Sequence, residues 1–300
     1  MKLGFLTACL NLKLEEIVKW AKQEGFEMLE VACWPQNNTR DFAMSHIDVS
    51  IFNENKAVEI NELFAKRNMG VSSLAYYDNM LDPNIKEREY KHNHLKKVID
   101  TAKLLNCDLV GTFIGRDPNK NIKENFVEAK EVFTPLVDYA EKKGIRIMIE
   151  NCPMEGWQVE GLPGTISYSP ELWDEMFSVI PNKNFGLNFD PSHLYWLQIE
   201  YLQPIKRFSK YIFHVHAKDT EIIKDKLNDV SIYGKDWWQY RVPGLGEINW
   251  SKFIKALKEI NYNGVVSIEH EDPIYSGTEE KIKEGLKIGF NNLKHVLKNR

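Results

Sequence analysis

Four successive short apolar segments each close on a residue able to bind a metal: Arg146–Glu150 (RIMIE), Gly186–Asp190 (GLNFD), Ile212–His216 (IFHVH) and Val265–Glu269 (VVSIE). One carboxylate at a strand end commonly caps the next helix or pairs with a nearby cation. Several in succession carry more weight, because acids gathered at one place repel unless a cation neutralises them. Glu150, Asp190, His216 and Glu269 offer carboxylate oxygens and an imidazole. That hard donor set suits Mn²⁺ first, with Mg²⁺, Co²⁺ or Zn²⁺ as alternatives. His214 lies two residues before His216 and shares its face of the strand, so spacing alone leaves either as the ligand.

Residues so far apart in sequence meet only if the strands are parallel and present their C-terminal ends to one face. The rest of the chain supplies that frame. Further strand-like segments fall at Leu3–Ala8, Met28–Ala32, Val71–Ala75 and Leu109–Phe113. Amphipathic stretches separate the strands, among them Leu14–Gln23, Asn55–Arg67, Glu87–Leu105, Val127–Lys142, Pro170–Val179, Ile199–Phe208, Ser251–Glu259 and Glu279–Leu297. Gly25, Gly70 and Gly144 stand where such helices should stop. Eight alternations of strand and helix predict an α/β fold, a (β/α)8 TIM barrel forming one domain over residues 1–300. A doubly wound open sheet would carry a Gly-rich phosphate turn after an early strand, and none is present. Two connections exceed what a βα loop needs, 151–169 and 217–249, and both should lie over the active-site face.

Composition agrees with such a fold and narrows its partners. With 43% hydrophobic residues, the 300-residue chain can bury a sizeable core. A net charge of -4 and a pI near 6.1 give no general attraction to nucleic acid or anionic membrane, so a small polar ligand is expected. No apolar run reaches the roughly 18 residues of a membrane span, and the start, MKLGFLTACL, is too short for a secretory signal and reads as a first strand. Cys9, Cys33, Cys107 and Cys152 form no C-x-x-C pair, which suits reduced thiols in a cytoplasmic protein.

The motifs IENCP, NFDPSH, HVHAKD, RVPGLGEINW and SIEHEDP, in this order, resemble the xylose-isomerase-like sugar phosphate isomerase/epimerase superfamily across essentially the whole chain. Within it, the tagatose/psicose 3-epimerases are similar in the Glu, Asp, His, Glu metal set, which maps onto Glu150, Asp190, His216 and Glu269. The resemblance thus favours His216 over His214. It implies substrate-binding roles for His193, three residues after Asp190, and for Arg241, ahead of the V-P-G-x-G turn. The expected enzyme is a metal-dependent isomerase or epimerase acting through an enediolate on a small ketose or keto-sugar, with Glu150 and Glu269 moving the proton. The alternative is a lyase or dehydratase acting on an inosose or 3-keto-glycoside. DNA repair, also found on this barrel, would need extra histidines and a basic face, while strands 2 to 4 end in EVAC, SLAYY and GTFIG. A homo-oligomer is compatible with the sequence.

Other residues are weighed against plainer roles. Lys218 and Asp219 could orient the imidazole or hold substrate; a surface ion pair serves equally. Trp157, Trp237 and Trp238 offer rings for a sugar face or for loop packing. Tyr76, Asn79 and Phe113 stand at strand ends near the pocket, whereas His46, His92 and His94 fall in connections or helices where solvated positions are the default. No Lys/Arg cluster marks a phosphate site, which points to unphosphorylated substrates.

Overall fold

A computed structural model describes residues 1–37, 44–154 and 162–298. Eight parallel strands close into a barrel: β1 (Lys2–Leu6), β2 (Met28–Ala32), β3 (Gly70–Asn79), β4 (Leu109–Phe113), β5 (Arg146–Glu150), β6 (Phe185–Phe189), β7 (Ile212–Ala217) and β10 (Val265–Ile268). β10 pairs with β7 on one side and with β1 on the other, so no strand edge is left open. The expected TIM barrel is the fold found, and six of the expected segments either match a strand's bounds or differ by one residue at one end or both: Met28–Ala32, Leu109–Phe113, Arg146–Glu150, Gly186–Asp190, Ile212–His216 and Val265–Glu269.

The strands form because apolar and β-branched residues fill both faces, one against the helices and one in the barrel interior. Leu29 and Val31 of β2 are fully buried among the helix-facing residues, and between them Glu30 is fully buried as well. The helices cover the barrel with apolar stripes: Ile17, Val18 and Ala21 of Leu14–Glu24 are buried, as are Phe253, Ile254 and Leu257 of Trp250–Glu259. Gly25 closes the first helix at φ +99°, as its position predicts. Gly70 does not act that way. The preceding helix ends at Ala65, Asn68 takes the left-handed conformation, and Gly70 opens β3.

The connection after β7 is more ordered than its composition suggests. β8 (Asp219–Ile222) and β9 (Trp238–Arg241) form an antiparallel hairpin, with the short helix Lys224–Val230 between them. The hairpin has its own small core, in which Trp237 packs with Trp196 and Tyr240 while Trp238 stacks on Trp196 at 4.4 Å. Loop packing is therefore the role of Trp237 and Trp238. Asp219 neither orients an imidazole nor sits in a surface pair. Its carboxylate is buried and accepts bonds from the backbone N–H groups of Gly244 and Ile248 and from Trp250 Nε1, stapling the chain as it returns to the barrel. No helix of the described residues is long and apolar enough to cross a membrane.

Candidate metal centre and its cavity

Parallel pairing brings the ends of β5, β6, β7 and β10 together. One ligand atom from each of Glu150, Asp190, His216 and Glu269 lies within 4.8 Å of the others. Glu150, Asp190 and His216 are essentially inaccessible, and the Glu269 side chain is 11% exposed, toward a cavity of about 710 Å³. Glu150, Glu269, Lys218 and Tyr240 form one wall of that cavity, with Asn79, Phe113 and Arg116 also lining it.

Asp190 does two things at once. Its Oδ1 accepts the Ser192 N–H at 2.8 Å and caps the helix Pro191–Trp196. Its Oδ2 is buried and accepts no hydrogen bond, which leaves it as the oxygen available to the four-residue cluster. Burial, only partly offset by His193 and Lys218, raises this carboxyl above its ordinary value. The capping role and the ligand role expected for a strand-end acid are thus compatible, because they use different oxygens.

His216 is held from behind. Its Nε2 is 2.8 Å from Glu30 Oε2, while its Nδ1 lies 3.2 Å from Glu150 Oε1 and 3.1 Å from Glu269 Oε2. Glu30 also accepts from Tyr77 Oη at 2.6 Å and from Ser267 Oγ at 3.0 Å. Tyr77 in turn receives the Asn188 amide at 2.7 Å, and Asn188 meets His214 Nδ1 at 3.0 Å. His214 accordingly sits in a polar layer beneath the centre rather than in it. Burial raises the Glu30 carboxyl, but His216, His214 and the hydrogen bonds outweigh it and bring the value down to about 2. Burial lowers His216, yet Glu30, Glu269 and Glu150 together push it well above the ordinary range. His214, with less compensation for its burial, falls to about 4. Glu30 is the functional candidate that reading the sequence missed. Its signal was an acid in the middle of a buried strand, MLEVA, where only a paired charge is tolerated.

Of the remaining expected residues, His193 and Lys218 reach the centre. His193 Nε2 stands 3.3 Å from Glu150 Oε1, and its Nδ1 meets Tyr240 Oη at 3.1 Å. Lys218, 2% exposed, places its ammonium 2.7 Å from Glu269 Oε2, 2.9 Å from Glu271 Oε2 and 4.2 Å from the centroid of the Tyr240 ring. Arg241 is not brought to the cavity. Its Nε bonds Asp272 at 3.0 Å and its Nη1 pairs with Glu221, tying the hairpin to the segment after β10. Trp157 lies outside the described residues. Asn79 and Phe113 do line the cavity, while Tyr76 is buried against His94. His94 is buried and His46 and His92 are half-buried, and each ring bonds a main-chain carbonyl, of Cys33, Leu10 and Met80 respectively.

The barrel order, the cluster at its strand ends and the match of residues 18–291 to the xylose isomerase-like TIM barrel family decide the family. The chain belongs to it. Among relatives, it is 25% identical over 297 residues to the uncharacterized protein YfiH of Bacillus subtilis, covering 91% of this chain and 93% of that one. It is also 25% identical over 295 residues to an inosose isomerase of Bacillus velezensis, covering 94% of each. Among solved structures, a D-psicose 3-epimerase crystallised with D-fructose superposes with a TM-score of 0.74 at 14% identity, over 99% of both chains. The zinc-bound IOLI protein gives 0.73 at 21% identity, over 99% of this chain and 98% of that one. Members of this xylose isomerase-like family have the same barrel, and at these identities the structural matches speak for the fold alone.

The residues present fit a divalent ion. Three carboxylates converge with one imidazole, Asp190 Oδ2 is buried without a hydrogen bond, and His216 turns Nδ1 to the carboxylates because Glu30 occupies Nε2. A carboxylate behind a metal-binding histidine is the usual way its ring is oriented.

Proposed function

We propose that this protein is a divalent-metal-dependent sugar isomerase of the epimerase type, removing and returning a proton beside the carbonyl of a ketose or cyclic keto-sugar. Glu150, Asp190, His216 and Glu269 would hold the ion, Mn²⁺ before Zn²⁺, Mg²⁺ or Co²⁺, because three carboxylates favour a hard ion while the imidazole favours one that also takes nitrogen. Bound there, the ion supplies Lewis-acid polarisation of the substrate carbonyl and so lowers the cost of enediolate formation.

The observation that carries the reading is the placement of two carboxylates on the cavity wall from strands that are not neighbours. Glu150 ends β5 and Glu269 follows β10, with β6 and β7 between them in the barrel. They approach a bound substrate from different sides, so one can take the proton and the other return it, inverting the carbon. Both are held as carboxylates. For Glu150, His216 and His193 overcome the effect of burial; for Glu269, Lys218 and His216 overcome burial and the repulsion of Glu150. His193 fixes the Glu150 carboxylate through Nε2 and is itself held by Tyr240. Lys218 faces Glu269 and is placed to hold a substrate oxygen. The inosose isomerase among the relatives supports a cyclic polyol ketone as one substrate to try. Cys9, Cys33 and Cys107 are buried and form no disulfide among the described residues, which fits a cytoplasmic setting.

The test is deuterium incorporation from solvent at the carbon beside the carbonyl, screened over ketoses, inososes and 3-keto-glycosides with Mn²⁺ present. An exchanged epimer of unchanged constitution supports the reading. Loss of water or of an aglycone from the same carbanion would assign the protein to lyase chemistry instead, and no exchange with any keto-sugar would overturn both.

A further inference from the structure

The same cavity holds a buried cation that the proposed chemistry does not use. Arg116 is 7% exposed and lines the cavity. Among the described residues its guanidinium forms no ion pair; Nη1 reaches the Pro163 carbonyl only at 3.5 Å, and Nε is buried without a partner. The acids around it are committed elsewhere. Asp82 pairs with Lys91 at 2.7 Å, Asp117 with Lys120 at 3.5 Å, and Glu271 with Lys218 at 2.9 Å. A guanidinium withdrawn from water with no counter-charge is costly.

The backbone beneath Arg116 is built to hold it there. The Asn79 side chain accepts the Arg116 N–H at 2.9 Å and donates to the Arg116 carbonyl at 2.8 Å, clamping the residue from both sides. Gly115 makes the clamp possible: it adopts φ +82°, and a Cβ there would fall 1.8 Å from Asn79 Oδ1.

We propose that Arg116 is a subsite for an anionic group, a carboxylate or a phosphate, carried by the substrate at the end remote from the carbon that loses its proton. The forked N–H donors of arginine match the oxygens of either group. A cavity of about 710 Å³ has room for a sugar-sized molecule reaching from Lys218 and Glu269 to Arg116. The sequence argued for uncharged substrates because it holds no Lys/Arg cluster. One desolvated arginine needs no cluster, since removal from water strengthens its attraction for an anion.

This inference rests on the proposed function for the place of the reacting carbon, but not for the anion itself. Inorganic phosphate and glycolate are titrated into the metal-loaded protein by calorimetry, comparing wild type with R116Q, R116K and N79A. The expected result is binding of at least one anion, weakened about tenfold or more in R116Q, largely kept in R116K and reduced in N79A. Absence of binding by both anions, or equal binding by wild type and R116Q, would overturn the subsite, the latter because the anion then sits on the metal or on Lys218. The deuterium-exchange screen is then extended to keto-sugars bearing a carboxylate, bearing a phosphate, or bearing neither. A preference for one charged class that falls about tenfold in R116Q, read as the ratio of kcat/KM values for charged and neutral substrates, identifies the source of the anion. An unchanged ratio removes the subsite while leaving the epimerase reading intact. Anion binding that depends on Arg116, with no exchange of any substrate, removes the epimerase reading while leaving the anion site.

Discussion

His216 and Glu30 share one hydrogen bond of 2.8 Å between Nε2 and Oε2, and through it a residue at the base of the cavity is tied to a strand on the other side of the barrel. β2 and β7 are separated by β1 and β10, so only side chains crossing the interior can join them. The bond commits Nε2 and leaves Nδ1 for an ion. Replacement of Glu30 by Gln should therefore lower metal affinity by about 10–100-fold. The check is competition with a chelator, alongside circular dichroism to confirm that the barrel is kept; unchanged affinity would show that the ring needs no support from behind.

Asp190→Ala should deplete the purified protein of most of a single equivalent of divalent ion per chain, because Oδ2 is lost from the cluster. The thermal midpoint of wild type should rise with added Mn²⁺ through mass action on the folded state, and that of the variant should not. Metal analysis and melting curves measure the two effects separately. Full retention of the ion by the variant would sink the ligand assignment.

Glu150→Gln and Glu269→Gln keep shape and a ligating oxygen while removing basicity. Each should reduce turnover by about 10²–10⁴-fold, with a smaller effect on metal content. A variant with full activity would transfer the base role to another group, His193 being the nearest.

Acid should destabilise the metal-free protein well above the carboxylate range. Burial lowers His46, His214 and His270 each to about 4, only partly countered by a carbonyl or a carboxylate. A histidine with a depressed folded value binds its proton more readily when unfolded, so stability falls as pH drops from about 6.5 toward 4. His216 has the opposite sign, since its raised value favours the fold below the unfolded pKa and that contribution fades as pH climbs through the folded one. Glu30, depressed to about 2, adds a further loss below about 4.5. Urea midpoints should decline as pH falls from 6.5 to 4.5, with a net uptake of protons on unfolding in that window; a flat profile there would contradict the buried neutral histidines.

The hairpin core makes a separate prediction. Trp237 is 2% exposed and packs on Trp196, so Trp237→Ala should cost about 3–5 kcal/mol of stability in denaturant titration. Tyr240, which touches both His193 and Lys218, is the hairpin residue whose change to Phe should alter turnover instead.

What the sequence made legible was what periodicity and strand ends encode. Glu150, Asp190, His216 and Glu269 stood at the ends of apolar segments, and a barrel gathers strand ends by its topology alone. Glu30 lay in mid-strand, where the facing partner comes from β7 and is 186 positions away, so no local pattern could reveal it. Arg241 was placed by a motif, but its direction depended on Asp272 and Glu221. The tryptophans after β7 went to their own core because rings that large gain more from mutual burial than from an open cavity.

Lys218 has a consequence for the life of the site. Its ammonium already sits among Glu269, Glu271 and, at 3.6 Å, Asp190 Oδ2. The barrel thus carries an internal counter-ion, and its acids need no metal to stay together. Unlike a zinc finger, which unfolds when stripped, this protein should survive chelation as a folded apoprotein, ready to be reloaded with whichever divalent ion its surroundings supply.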